Sequence, residues 1–240
     1  MKLRQPFLLF ALFIYFSPCY YKPLITYTLN QEGFKKFSKK EKLAGDNSNP
    51  HRSYTIHKYD WDLEVFPDKK RIAGSIKIFF SPKVSQDTFL FDLQKKMKIR
   101  SFSSSIKGAT IKRKGDFLYF IFKDNIPANK RVLFFIEYGG NPAYVSGEGP
   151  INWRKDLKFR PWISSSTEGI GPHFMMPCSA LLEKEPDTTF INITAPSSLT
   201  AAANGQLLRT ITHEERGTTT TSFLVSNPIN VYNISFNLGH

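Results

Sequence analysis

A chain of 240 residues with 41% hydrophobic and 15% aromatic side chains has room for one domain of ordinary size plus appendages. It also has ample apolar mass for a buried core. Its formal charge of +13 would suit an anionic envelope, an acidic peptide or nucleic acid, but no nucleic-acid motif accompanies it, so a nucleic-acid binder is excluded.

Residues 1–19 combine a short basic start (Lys2, Arg4) with an apolar run from Phe7 to Phe16, too short to span a bilayer comfortably. This pattern predicts a secretory signal peptide and export to the periplasm or cell envelope. Cys19 offers lipid anchoring as the alternative, the only route to a membrane here, although Phe16 and Pro18 fit that signal poorly. Removal of the signal leaves Cys178 as the one remaining cysteine, and so no intramolecular disulfide. Residues 20–50 mix Lys, Asn, Gly and Ser without periodicity and are read as a tether.

From Ser53 onward the pattern has period two, and 22 Phe with 10 Tyr suit sheets better than helices. Tyr54, Ile56 and Lys58 fall on one face, Trp61, Leu63 and Val65 follow, and Pro67-Asp68-Lys69-Lys70 turns the chain into Ile72, Ile76 and Ile78. Further strands are expected at Thr88–Leu93, Ala109–Lys114, Phe117–Phe122, Val132–Tyr138, Thr189–Thr194, Gln206–Thr212, Thr218–Val225 and Tyr232–Phe236. Gly115-Asp116 and Arg216-Gly217 mark tight turns. No twelve residues carry a helical stripe, and the fold expected is an all-β, antiparallel β-sandwich over residues 51–240. The basic clusters, such as Lys95-Lys96-Met97-Lys98 and Lys112-Arg113-Lys114, are read as solvated surface.

Alternation stops between Pro161 and Asp187. There Glu168 sits in a turn bracketed by Gly169, Gly171 and Pro172, where glycine allows positive φ and close backbone approach. Such a turn can hold one carboxylate at the mouth of a cleft. Cys178 lacks the neighbouring base a nucleophile needs and is read as core. Trp153 and Trp162 flank the loop and are read as packing residues. The sequons at Asn192 and Asn233 are read as unmodified strand residues. The five histidines, His51, His57, His173, His213 and His240, suggest neither a Ser-His-Asp arrangement nor a metal cluster.

The loop resembles the N-terminal β-domain of the gluzincin zinc aminopeptidases, the aminopeptidase N and leukotriene hydrolase type. That domain carries a Gln or Glu ten residues before the Cys of a Pro-Cys step, the relation of Glu168 to Cys178. A bacterial subgroup matches further, in register, at Pro161-Trp162-Ile163, Gly169, Gly171, Pro177 and Glu185-Pro186-Asp187. Tyr59–Val65, Arg71–Ser75, Asn204–Leu207 and Asn227–Tyr232 are similar to further family segments, in the right order. Met175-Met176 and Ser179-Ala180 depart from the subgroup's Trp-Trp and Lys-Asp, and His173 stands where relatives often carry Arg.

The resemblance implies a saddle-like β-sandwich in which Glu168, with Gly169, binds the free α-amine of a peptide. It also implies zinc and catalysis on a separate catalytic domain. That chemistry needs His-Glu-x-x-His on one helix. The one His-Glu pair here, His213-Glu214, has Gly217 where the second histidine belongs. This chain is therefore expected to hold no metal or catalytic residue, to be inactive alone, and to partner a peptide N-terminus or a missing catalytic domain. The alternative is a stand-alone exported β-sandwich with a binding or structural role and no peptidase role.

Overall fold

The computed structural model describes residues 46, 48–142, 149–181 and 183–240. The predicted signal peptide, with most of the tether, lies outside these described residues. Fourteen strands are present: β1 Tyr54–Phe66, β2 Arg71–Pro82, β3 Gln86–Asp92, β4 Lys98–Ser104, β5 Thr110–Lys114, β6 Phe117–Ile126, β7 Val132–Gly140, β8 Ile151–Lys155, β9 Pro161–Ser165, β10 Thr188–Pro196, β11 Thr200–Ala203, β12 Gln206–His213, β13 Thr218–Val225 and β14 Phe236–Gly239. Helical turns among the described residues are short 3-10 pieces such as Pro50–Ser53 and Pro172–Phe174.

The strands form a seven-stranded sheet in the order β12-β13-β10-β1-β2-β7-β4, a four-stranded sheet β11-β14-β9-β8 and a three-stranded sheet β3-β6-β5. All neighbours pair antiparallel except β1 with β10, whose parallel register runs from Lys58 opposite Thr188 to Glu64 opposite Thr194. Aromatic contacts show how the sheets stack. Phe80 and Phe134 of the large sheet meet Phe89, Phe91 and Phe120 of the small one, with Phe120 and Phe134 centroids 4.5 Å apart. Trp61 of the large sheet meets Phe236 of the four-stranded sheet at 6.4 Å. The seven-stranded sheet is thus one layer and the two smaller sheets form the other, an all-β sandwich over one continuous apolar core.

The alternation in β1 changes phase between Ile56 and Tyr59, and a bulge between Ile56 and Lys58 is the cause. It turns Lys58 away from the face of Tyr54 and Ile56, where the sequence puts it, and sets its ammonium 4.4 Å above the Phe190 ring. Four strands escape the period-two reading. The β4 pattern is broken by a bulge between Ile99 and Ser101, β8 and β11 are short, and β9 occupies the start of the loop read as non-strand. The expected strand Tyr232–Phe236 is instead a 3-10 turn, Val231–Asn233, with strand only from Phe236. Asn233 consequently sits exposed in a turn rather than in a strand.

Candidate functional site

Once β9 ends at Ser165, the chain is fastened on both sides of the acidic turn. The Ser165 hydroxyl donates to Phe236 O at 3.2 Å and accepts from Phe236 N at 2.7 Å. Thr167 is buried, its hydroxyl donating to Tyr232 O at 2.8 Å, and Gly171 N closes the turn onto Thr167 O at 2.7 Å. Between these fixed points Glu168 and Gly169 are exposed. Gly169 has φ +77° and Gly171 φ +101°, a backbone region that side chains resist. A Cβ on Gly169 would meet nothing within 4 Å, so conformation rather than crowding calls for glycine there. Among the described residues no ion pair engages Glu168. Its carboxylate is exposed on a turn hydrogen-bonded on both sides.

Beyond Gly171 the chain turns inward, and residues 172–179 are all buried. His173 O accepts from Gln94 N at 2.8 Å, and Cys178 exchanges two backbone hydrogen bonds with Asp92, at 2.7 and 3.0 Å. Cys178 is fully buried in the core.

Here the structure brings together residues that the sequence reading leaves apart. His51 Nε2 lies 3.0 Å from Asp92 Oδ2, and His51 Nδ1 lies 3.2 Å from Ser179 Oγ and 3.1 Å from the Tyr54 hydroxyl. A Ser-His-Asp chain therefore exists, contrary to the expectation from the scattered histidines. It is no hydrolase site. Ser179 is wholly inaccessible, His51 and Asp92 are 3% and 4% exposed, and a nucleophile that substrate cannot reach does no chemistry. Asp92 also accepts from Ala180 N at 3.0 Å, Ser179 N donates to the Tyr59 hydroxyl at 3.3 Å, and Tyr54 donates to Leu90 O at 2.6 Å. Burial raises the Tyr54 and Tyr59 hydroxyl pKa well above the ordinary tyrosine range. The cluster is a buried joint linking the first turn, β1, β3 and the loop. Lys184 completes it, its ammonium donating to Tyr54 O at 2.5 Å, and burial lowers its pKa to about 8.

The remaining expected residues are ordinary parts of the sandwich. His213 Nε2 sits 2.9 Å from Thr220 Oγ1 at the end of β12, and Glu214 opens a short 3-10 turn. Among the described residues no three His, Cys, Asp or Glu side chains converge as a metal site would require. Trp153 packs against the core edge, while Trp162 is 49% exposed and lies over Gly239.

Fold and loop together define a two-layer β-sandwich module that presents one acid from a fixed turn. No protein-family model and no curated protein matches the sequence. Among solved structures the chain is similar to the M1 zinc metallopeptidase of Deinococcus radiodurans, in a mutant bound to a Tyr-Ser-Ala substrate. The TM-score is 0.68 at 18% identity, over 78% of this chain and 43% of that one. It is also similar to native leukotriene A4 hydrolase from Saccharomyces cerevisiae, with a TM-score of 0.61 at 18% identity, over 78% of this chain and 29% of that one. The chain thus spans less than half the length of either enzyme, and at these identities the likeness is one of fold. In fold, as in its motifs, the chain resembles the N-terminal β-domain of the gluzincin aminopeptidases.

Proposed function

We propose that this chain is a non-catalytic domain of a zinc metallopeptidase-like protein, the counterpart of the N-terminal β-domain, and that Glu168 and Gly169 recognise the free α-amine of a peptide. The observation that carries this reading is the Glu168 carboxylate, exposed and without an ion pair among the described residues, on a turn held by Thr167, Gly171 and Ser165. A fixed carboxylate pairs with an ammonium ion through charge-assisted hydrogen bonds and so selects chain termini over internal peptide bonds. Gly169 leaves the approach clear of side-chain atoms. The pair orients a substrate and moves no proton, so bond cleavage and the zinc that drives it belong to a catalytic domain. Export, with lipid anchoring if Cys19 is acylated, is part of the same proposal.

Two measurements on the full chain test it. In a nuclear magnetic resonance titration, a free-amine tripeptide should shift the Gly169 amide, its N-acetylated form should not, and Glu168→Gln should abolish the difference. Equal responses to both peptides would remove the amine-recognition role and leave a stand-alone binding or structural module. In an aminopeptidase assay with and without added zinc, no turnover is expected, and turnover abolished by a chelator would overturn the non-catalytic assignment.

A further inference from the structure

The basic cluster of Lys95-Lys96-Met97-Lys98 does not simply dissolve into a charged surface. At one end of the seven-stranded sheet, a cavity of about 530 Å³ is lined by Arg71, Lys96, Lys98 and Arg100, together with Ile99, Gly139, Gly140 and Asn141. Four cationic side chains line this space, and among the described residues no acid does. Gly139 and Gly140 at the end of β7 lie among these cations, Gly139 pairing with Ala73 of β2 on one side and with Lys98 of β4 on the other. Among the described residues none of the four cations makes an ion pair. The nearest acid along β7, Glu137, is already engaged by the Ser101 hydroxyl at 2.5 Å.

Both walls are held in place by groups that take no part in lining charge. Arg113 reaches from β5 to three carbonyls of the segment before β4, with Nη1 donating to Met97 O at 2.6 Å and Nη2 to Leu93 O and Gln94 O at 2.7 and 2.5 Å. Met97 is wholly buried between Lys96 and Lys98, so both lysines spring from an anchored backbone. Opposite, the Asn141 amide nitrogen donates to Lys69 O and Lys70 O at 3.0 and 3.1 Å and ties the β1–β2 turn to the end of β7. The Arg71 guanidinium lies 5.3 Å from the centre of the Phe66 ring, which restricts where it can swing. Like charges gathered on clamped backbones repel one another, and a multiply charged anion in the cavity relieves that repulsion. Two guanidinium and two ammonium groups suit the charge of a phosphate better than that of a single carboxylate.

We infer that this cavity is a binding site for a multiply charged phosphate group, either free as a small polyphosphate or phosphomonoester or carried as a lipid headgroup. It lies apart from the Glu168 turn and does not depend on the function proposed above.

The test is calorimetric titration of the full chain with pyrophosphate at low ionic strength, with acetate at matched ionic strength as the reference. Pyrophosphate should bind one site and acetate should not. Lys98→Ala and Lys96→Ala should each weaken binding roughly ten-fold, the effect of losing one charge-assisted contact. Lys123→Ala and Lys130→Ala, which remove charge outside the cavity, should leave binding unchanged. Circular dichroism and thermal melting establish that each variant is folded. Absence of a pyrophosphate signal above acetate, or equal weakening by the Lys123 and Lys130 variants, overturns the site in favour of diffuse surface charge. A second arm separates the sources. Co-sedimentation with phosphatidylcholine vesicles containing phosphatidic acid, reversed by pyrophosphate, identifies a headgroup; pyrophosphate binding without co-sedimentation identifies a soluble phosphate.

Discussion

Replacing Asp92 by Ala distinguishes a buried structural joint from a disguised catalytic triad. The Asp92 carboxylate accepts from His51 Nε2 and from Ala180 N, each at 3.0 Å, and is 4% exposed. Removing it leaves the buried His51 donor and the part-buried Ala180 N–H without an acceptor, at about 1–3 kcal/mol each. The expected loss is therefore about 3–5 kcal/mol, also the range for stripping one partner from a buried pair. Ser179→Ala removes one hydrogen bond at His51 Nδ1 and should cost about 1 kcal/mol. Urea unfolding followed by tryptophan fluorescence reads both, since Trp61 is wholly buried and becomes wet on unfolding. A cost below about 1 kcal/mol for Asp92→Ala would refute the joint. So would hydrolytic activity that Ser179→Ala abolishes without loss of stability, because it would mean that substrate reaches Ser179.

Glu168→Gln should leave unfolding free energy within about 0.5 kcal/mol of the parent, as expected of an exposed side chain without an ion pair, and a larger loss in urea melts would mean the turn depends on it. Gly74→Ala should cost about 3 kcal/mol or prevent folding, because its Cβ would stand 2.0 Å from Asp62 O on the neighbouring strand; Gly169→Ala, with open space around it, should cost only about 1 kcal/mol of backbone strain. Similar midpoints for these two variants would show that β1 and β2 separate easily. Lys184 loses its proton near pH 8 in the folded chain and nearer 10.5 when unfolded, so its contribution should make stability rise with pH above about 8. The rise is best read below pH 10, since Tyr54 and Tyr59, whose hydroxyls are held protonated by burial, lose stability above it. Lys184→Met should flatten the rise in melts taken between pH 8 and 10, and an unchanged slope would assign it to another group.

Strands with one buried face were legible because β6, β7 and β10 alternate buried and open positions, whereas the bulge after Ile56 shifts the phase of β1 and was read through, which put Lys58 on the wrong face. What defeated the pattern was local geometry. A bulge sets Ile99 and Phe102 three positions apart in β4, and the Ala run of β11 offers no contrast between its faces. The parallel pairing of β1 with β10 carries no local mark, since it depends on distant segments meeting. The same holds for the joint, in which His51 and Ser179 are 128 positions apart and share no motif. The turn around Glu168 was legible because Gly169 and Gly171 stand where φ is positive, while Glu168 itself was singled out by the family resemblance in its spacing to Cys178.

The departures from the bacterial subgroup bear on whether the Glu168 turn is a relic. Had the turn lost its purpose, changes around it should loosen it, since nothing would hold a strained loop with two positive-φ glycines in place. The opposite is found. Met175 and Met176, which stand in place of paired Trp, are each 1% exposed and fill the core. Ser179 and Ala180, which stand in place of Lys-Asp, bind His51 and Asp92. With these residues in place the backbone from Thr167 to Cys178 is fastened at both ends. The Glu168 carboxylate is exposed, and among the described residues no ion pair engages it. An exposed carboxylate on a turn fastened at both ends is what the amine-recognition role proposed above requires.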